Sequence, residues 1–291
     1  MKKTIIKSSG GQTARVADML VNRLLPDMDT RSIGPFVFLD HLFPVTKEKQ
    51  EAMPYQGENA HPHRGIATFS YLFSGALEHF DSQGNHDIVE AGGAQWMKAG
   101  SGIVHDERPG PEFLRNGGVL HALQFWINLP AKNKAEVPEY LAVKPTDIPE
   151  APLPGEAGII RVVIGACGDM VSPVKTYTRQ FIYHIRLNPK SAYTFTAKAG
   201  MEHAIFVPVD EVTVNGQSAG KSELLLFGNE GDELELYNPG VVPANLIIFG
   251  GESYTEPIVA EGPFVMNTRM EVAQAYNDFF EGKYGTIQNQ I

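Results

Sequence analysis

The segment His61-Pro62-His63-Arg64-Gly65 places two imidazoles two residues apart. In an extended backbone, side chains at i and i+2 leave the same face, so His61 and His63 point together while Pro62 and Arg64 point away. Farther along, Gly100-Ser101-Gly102-Ile103-Val104-His105-Asp106-Glu107 repeats this spacing with His105 and Glu107, and Asp106 turns to the opposite face. Two such strands side by side would bring three imidazoles and one carboxylate to a single point. That donor set suits Fe(II), and equally Mn, Co, Ni, Cu or Zn, with coordination positions left for water, oxygen or substrate. One histidine pair is commonly a turn or core feature. Two pairs among only nine histidines favour a metal site.

These side chains need rigid strands, and the chain is written for strands. Its 29 glycines and 20 prolines are scattered and punctuate many short apolar runs, the texture of a sheet protein with frequent turns. Stretches rich in Val, Ile, Phe and Tyr predict strands at Pro35–Leu39, Ile66–Phe73, Val119–Ile127, Ile159–Ile164, Phe181–Arg186, Ala204–Val209, Glu211–Val214, Ser222–Phe227, Glu233–Tyr237 and Ala244–Phe249. Turns fall at Ser82–Asn85 and Asn215–Gly216. The segment 144–158 carries Pro145, Pro149, Pro152 and Pro154 and reads as a linker, because proline cannot donate to a hydrogen-bond ladder. The predicted organisation is a metal-binding barrel over residues 1–143, this linker, and a second barrel over 159–291 that ends in a helix. No short fixed repeat is visible, which argues against a propeller or solenoid.

The terminal helix is signalled by Thr268-Arg269-Met270-Glu271, a capping box in which side-chain oxygens satisfy backbone donors of the first turn. Val272, Tyr276, Phe279 and Phe280 follow at helical spacing, and Gly282 supplies a stop. A shorter helix is expected at Gly11–Met19.

Composition excludes several classes of function. With 43% hydrophobic and 20% charged residues, the 291-residue chain is an ordinary folded protein. Lys and Arg number 24 against 34 Asp and Glu, a net charge of −10 that repels phosphate backbones and disfavours direct nucleic-acid binding. The one cysteine, Cys167, permits neither an intrachain disulfide nor a thiolate metal cluster, which fits a reducing cytoplasm. Met1–Arg15 has lysines without an apolar run behind them, and no segment approaches the ~20 apolar residues that span a bilayer. Neither a secretory leader nor a membrane span is expected.

The chain resembles the pirins of the cupin superfamily. The resemblance rests on Phe36-Val37-Phe38-Leu39-Asp40, His61-Pro62-His63-Arg64-Gly65, Glu78-His79-Phe80-Asp81-Ser82, the run from Gln95 to His105, Gln124-Phe125-Trp126-Ile127-Asn128-Leu129-Pro130 and Gly262-Pro263-Phe264-Val265-Met266-Asn267-Thr268. It implies an all-β bicupin, two jelly-roll barrels in one chain, with iron or another divalent metal in the first. The family's ligands fall on His61, His63, His105 and Glu107. The general cupin pattern expects a glutamate four residues after the second histidine, where this chain has Ala67, and the pirin pattern implies that Glu107 replaces it. Gly100 stands where the second cupin motif usually has proline, a feature pirins share. The second barrel holds no such pair: His184 and His203 are isolated, so it reads as metal-free.

Around the motifs, Phe36, Phe38, Phe69, Tyr71, Phe73, Phe125 and Trp126 are expected mainly in the core. Gln124 is a candidate to hydrogen-bond a ligand or a metal-bound water, and Arg64 to form a salt bridge or lie at the surface. The resemblance implies a dioxygenase that opens the central ring of quercetin-type flavonols and releases carbon monoxide, with a small aromatic substrate, O2 and most readily Fe(II). Glu107 would serve as ligand and, if it swings free, as the base that takes the hydroxyl proton. The alternative is a metal- or redox-responsive regulator that binds a transcription factor or a metabolic enzyme, which at this net charge would act through protein and not bare DNA. A weaker third reading is a cupin isomerase or lyase that polarises a carbonyl.

Overall fold

The structure is a computed structural model that describes residues 1–16 and 19–288. The chain is mostly β, with two cupin barrels and a C-terminal helix, and each of the ten expected segments lies on a strand. It divides into two compact units, and the sequence order does not set their boundaries. One comprises Met1–Ala14, Asn22–His41 and Asp147–Tyr254; the other comprises Arg15–Val21, Leu42–Thr146 and Thr255–Ile291 and bears the histidine motifs.

In the first unit, a seven-stranded sheet runs in the order Ile5–Ser9, Glu223–Phe227, Glu202–Val207, Ala244–Gly251, Gln180–Leu187, Gly158–Ile164, Glu150–Pro152. A four-stranded sheet adds Ala192–Thr196, Glu233–Tyr237, Val212–Val214 and Gln217–Ala219. Period-two alternation in these strands buries Phe181, Tyr183, Ile205, Leu225, Leu234 and Ile248 in one core. The hairpin at Asn215–Gly216 forms as expected, with both residues at positive φ.

In the histidine-bearing unit, a four-stranded sheet runs His61–His63, Ile103–Pro109, Ala76–Asp81, His86–Glu90. A second sheet contains the neighbours Glu139–Val143, Ala94–Lys98, Ile66–Ser74 and Gly118–Asn128. Phe69 and Phe125 are fully buried there, as expected for core aromatics.

Three expectations need correction. The divisions 1–143 and 159–291 fail because distant segments pair: Ile5–Ser9 hydrogen-bonds to Glu223–Phe227, while the chain from Thr255 onward returns to the histidine-bearing unit. Residues 144–158 are not a bare linker. They contain the strand Glu150–Pro152, paired with Gly158–Ile164 at the sheet edge, where Pro152 need not donate a hydrogen bond. The helix expected at Gly11–Met19 is instead a strand over Gln12–Val16, with residues 17 and 18 outside the described residues.

The C-terminal helix spans Arg269–Phe280, and the Thr268 hydroxyl accepts from the Glu271 backbone N–H as the capping box requires. Ala275 joins Val104, Phe264 and Tyr284 in a buried cluster, with Tyr276 and Phe279 packed against it. Phe280, expected on this face, is 77% exposed. Gly102, at φ +129°, belongs to this contact: a Cβ there would sit 2.1 Å from the Tyr284 ring. At Gly102, the backbone that leads into the His105 strand therefore lies against the ring of Tyr284.

Candidate metal centre

Strand register assembles the site. The pairings His61 with His105, and His79 with Glu107, place directly opposed residues on one face of the sheet. Alternation adds His63 and Asp81 to that face, because each lies two residues from a member already there. Ligand atoms of His61, His63 and His105 come within 4.8 Å of one another. The Nε2 atoms of His61 and His105 are 3.0 Å apart.

The hydrogen bonds of these rings set their tautomers. His61 Nδ1 lies 2.8 Å from the Asn59 carbonyl and His63 Nδ1 lies 3.0 Å from the Pro263 carbonyl. A carbonyl only accepts, so both Nδ1 atoms carry a proton, and in the neutral ring Nε2 keeps the lone pair. Backbone carbonyls orient metal-binding imidazoles in this way. Burial, reinforced by His61, lowers the His63 pKa to about 3. Burial and then the neighbouring His61, His63 and His79 push His105 well below the usual histidine range. His63 and His105 are therefore neutral at pH 7, the form that ligates metal. The three residues fit a borderline divalent ion.

Glu107 approaches from the same face, but its carboxylate groups with His79 and His105, not with all three histidines of the motif pairs. The opposing sheet supplies its surroundings. Register aligns Gln95, Ser70 and Gln124 in a row across three strands. Gln95 Nε2 donates to Glu107 Oε1, and the Ser70 hydroxyl lies 3.1 Å from that oxygen and 2.6 Å from Gln124 Oε1. Gln124 thus reaches Glu107 through Ser70. Tyr140 donates to Gln95 Oε1 and stacks on His79 at 4.2 Å with a 12° interplanar angle. Trp126 meets His63 edge-on at 5.0 Å, so this expected core aromatic lines the centre.

Behind the histidines lies a group that the motifs did not reveal. Lys134 is 3% exposed, and its ammonium donates to Gly65 O at 2.7 Å, Asn128 Oδ1 at 2.5 Å and Val265 O at 2.7 Å. Burial lowers its pKa to about 7, while three acceptors matched to three N–H donors favour the charged form. Gly65 stands at φ +81° with its missing Cβ 2.1 Å from the Val265 carbonyl, so only glycine allows this approach. Arg64 pairs with Asp278 at 2.6 Å, the salt bridge that was one of its expected roles.

The remaining histidines and Asp40 have partners of their own. His203 is 2% exposed, accepts from the Lys198 N–H at Nε2 and donates from Nδ1 to Met201 O. His184 faces Asn245 Oδ1 at 3.1 Å. Asp40 accepts from Nε and Nη2 of Arg23, His41 bonds to Ser222 and packs on Phe206, and His121 stacks on Phe73.

Comparison with known proteins identifies the family. Residues 18–127 match the Pirin family and residues 182–285 the Pirin C-terminal cupin domain. The chain belongs to the pirin family. It is 34% identical over 282 residues to a pirin-like protein of Solanum lycopersicum, covering 91% of this chain and 87% of that one. Among solved structures, quercetin 2,3-dioxygenase from Acinetobacter baumannii superimposes with a TM-score of 0.91 at 29% identity, covering 99% of this chain and 100% of that one. The bacterial pirin YhhW of Escherichia coli, solved in complex with nickel(II), shares the fold with a TM-score of 0.61 at 20% identity, covering 84% of this chain and 96% of that one. Among the described residues, no helix is long and apolar enough to cross a membrane.

Proposed function

We propose that the chain is a metal-dependent dioxygenase of quercetin-type flavonols, opening the central ring with release of carbon monoxide. Its ligands are His61, His63, His105 and Glu107, and its ion is Fe(II). The carrying observation is the convergence of three imidazoles, two of them with carbonyl-fixed tautomers, in a chain similar over nearly its whole length to a quercetin 2,3-dioxygenase. A bound divalent ion would supply Lewis acidity and open coordination positions for a flavonol oxygen and for O2.

The protein supplies orientation and proton handling. Asn59 and Pro263 carbonyls aim His61 and His63, and burial of His63 and His105 keeps both as neutral donors. Glu107 is the base that takes the 3-hydroxyl proton of the flavonol. Gln95 and Ser70 hold one carboxylate oxygen, and the other receives that proton when the carboxylate swings free of the ion. Trp126, edge-on to His63, offers an aromatic surface for a flat substrate.

The test is oxygen uptake by iron-loaded protein with quercetin, with carbon monoxide measured in the same vessel. We expect both, and we expect both to disappear in His105→Ala. A folded, iron-loaded protein that consumes no oxygen with quercetin would refute the proposal.

A further inference from the structure

His79 has the features of a metal ligand and lies outside the ligand set proposed above. It is fully buried on the strand Ala76–Asp81, directly opposite Glu107. Its Nε2 faces the Asp81 carboxylate at 3.3 Å, and that carboxylate is itself fixed by the backbone N–H groups of Gln83 and Asn85 and by the Asn85 amide. A carboxylate only accepts, so Nε2 carries a proton, and in the neutral ring Nδ1 keeps its lone pair. That Nδ1 is buried and has no hydrogen-bond partner among the described residues. A carboxylate on one ring nitrogen and a bare lone pair on the other is the arrangement that prepares an imidazole for a cation. The stacked Tyr140 ring holds the plane of His79 in place.

Ligand atoms of His79, His105 and Glu107 lie within 4.8 Å of one another. His105 also carries a buried Nδ1 without a hydrogen-bond partner, while its Nε2 faces His61. We propose that His79, His105 and Glu107 form a second position for a divalent cation, alternative to the one made by His61, His63 and His105. A neutral imidazole has a single lone pair, so His105 can serve only one position at a time. The chain therefore holds one ion with two addresses. Two neutral nitrogens and a carboxylate suit Fe, Co, Ni or Zn. In the second position Glu107 ligates the ion from where Gln95 and Ser70 already hold it, without moving toward His61 and His63.

The inference rests on the reading that this face binds a divalent ion, and the experiment separates the two. Metal-free protein is titrated with cobalt(II) alone, and binding is followed by visible absorption and by elemental analysis after dialysis. Wild type and His79→Gln should each bind one cobalt per chain. His61→Ala/His63→Ala should still bind one cobalt per chain with a shifted visible spectrum, and adding His79→Gln should abolish that binding. If the alanine pair does not fold by circular dichroism, His61→Gln/His63→Gln gives the same readout. Wild type that binds no cobalt would overturn the metal reading and the inference with it. Wild type that binds one, with a folded double variant that binds none or that is indifferent to His79→Gln, would overturn the second position alone.

Discussion

The buried ammonium of Lys134 joins three pieces of backbone that no local signal connects, and its removal has a calculable effect. It donates to Gly65, two residues beyond His63, to Asn128, and to Val265, two residues beyond the carbonyl that orients His63. In Lys134→Met, a near match in length without donors, Asn128 Oδ1 and Val265 O lose the Lys134 donor, while Gly65 O keeps the Leu129 N–H at 3.3 Å. Each unsatisfied acceptor costs about 1–3 kcal/mol. Against this, the variant no longer desolvates an ammonium, a saving of several kcal/mol. Two acceptors set against that saving leave a net loss of about 1–3 kcal/mol, which urea denaturation of the metal-free protein would read directly. Because the same donor sets the position of the His63 partner, we also expect cobalt affinity to fall by about 10–100-fold, the range seen when groups that orient a ligand are removed. Lys132→Met, at an exposed neighbouring position, should change neither quantity. A Lys134→Met protein within about 0.5 kcal/mol of wild type, with unchanged cobalt affinity, would refute the role given to this ammonium.

Two further outcomes follow from the same geometry. Gly65→Ala forces a side chain onto the Val265 carbonyl at positive φ, so we expect a loss of about 2–4 kcal/mol by urea denaturation and weaker metal binding, whereas Gly84→Ala, where φ is also positive but nothing lies within 4 Å, should cost only the backbone strain of about 1–2 kcal/mol. His203, held neutral by burial with its pKa lowered to about 4, contributes stability that is complete above the unfolded value of about 6.5 and is lost as pH falls through about 4. Up to about 3 kcal/mol of acid sensitivity should therefore be absent from His203→Gln, and parallel pH dependence in the two proteins between pH 7 and 4 would contradict this.

The parts of the site that were legible in the sequence are those that local periodicity encodes. An i, i+2 spacing places His61 with His63 and His105 with Glu107 wherever the strands lie, and the Thr268 to Glu271 spacing writes a capping box that forms without tertiary help. What pairing decides was not legible. His79 lies opposite Glu107 only because of the register between two strands, and the row Gln95, Ser70, Gln124 exists only across three. His79-Phe80-Asp81 does carry the same alternation, and with Tyr140 it forms a ligand-like group visible only once the strands are paired. Lys134 gave no signal at all, since a lysine beside Lys132 and Asn133 reads as a solvated turn. The prolines of 144–158 suggest a linker because proline interrupts a ladder, but at the edge of a sheet that deficit carries no cost. The exchange of terminal segments between units is likewise a matter of which edge each strand finds, and composition carries no trace of it.

The central claim is that His61, His63 and His105 hold the ion at which a flavonol would meet oxygen. Its most direct test is the metal content per chain of purified wild type and of His61→Ala/His105→Ala, with oxygen uptake on quercetin read from the same samples. We expect close to one divalent ion per wild-type chain with oxygen consumed, and both lost in a variant that still folds. A folded wild-type protein that takes up no ion, or a variant that keeps both its ion and its turnover, would contradict the account.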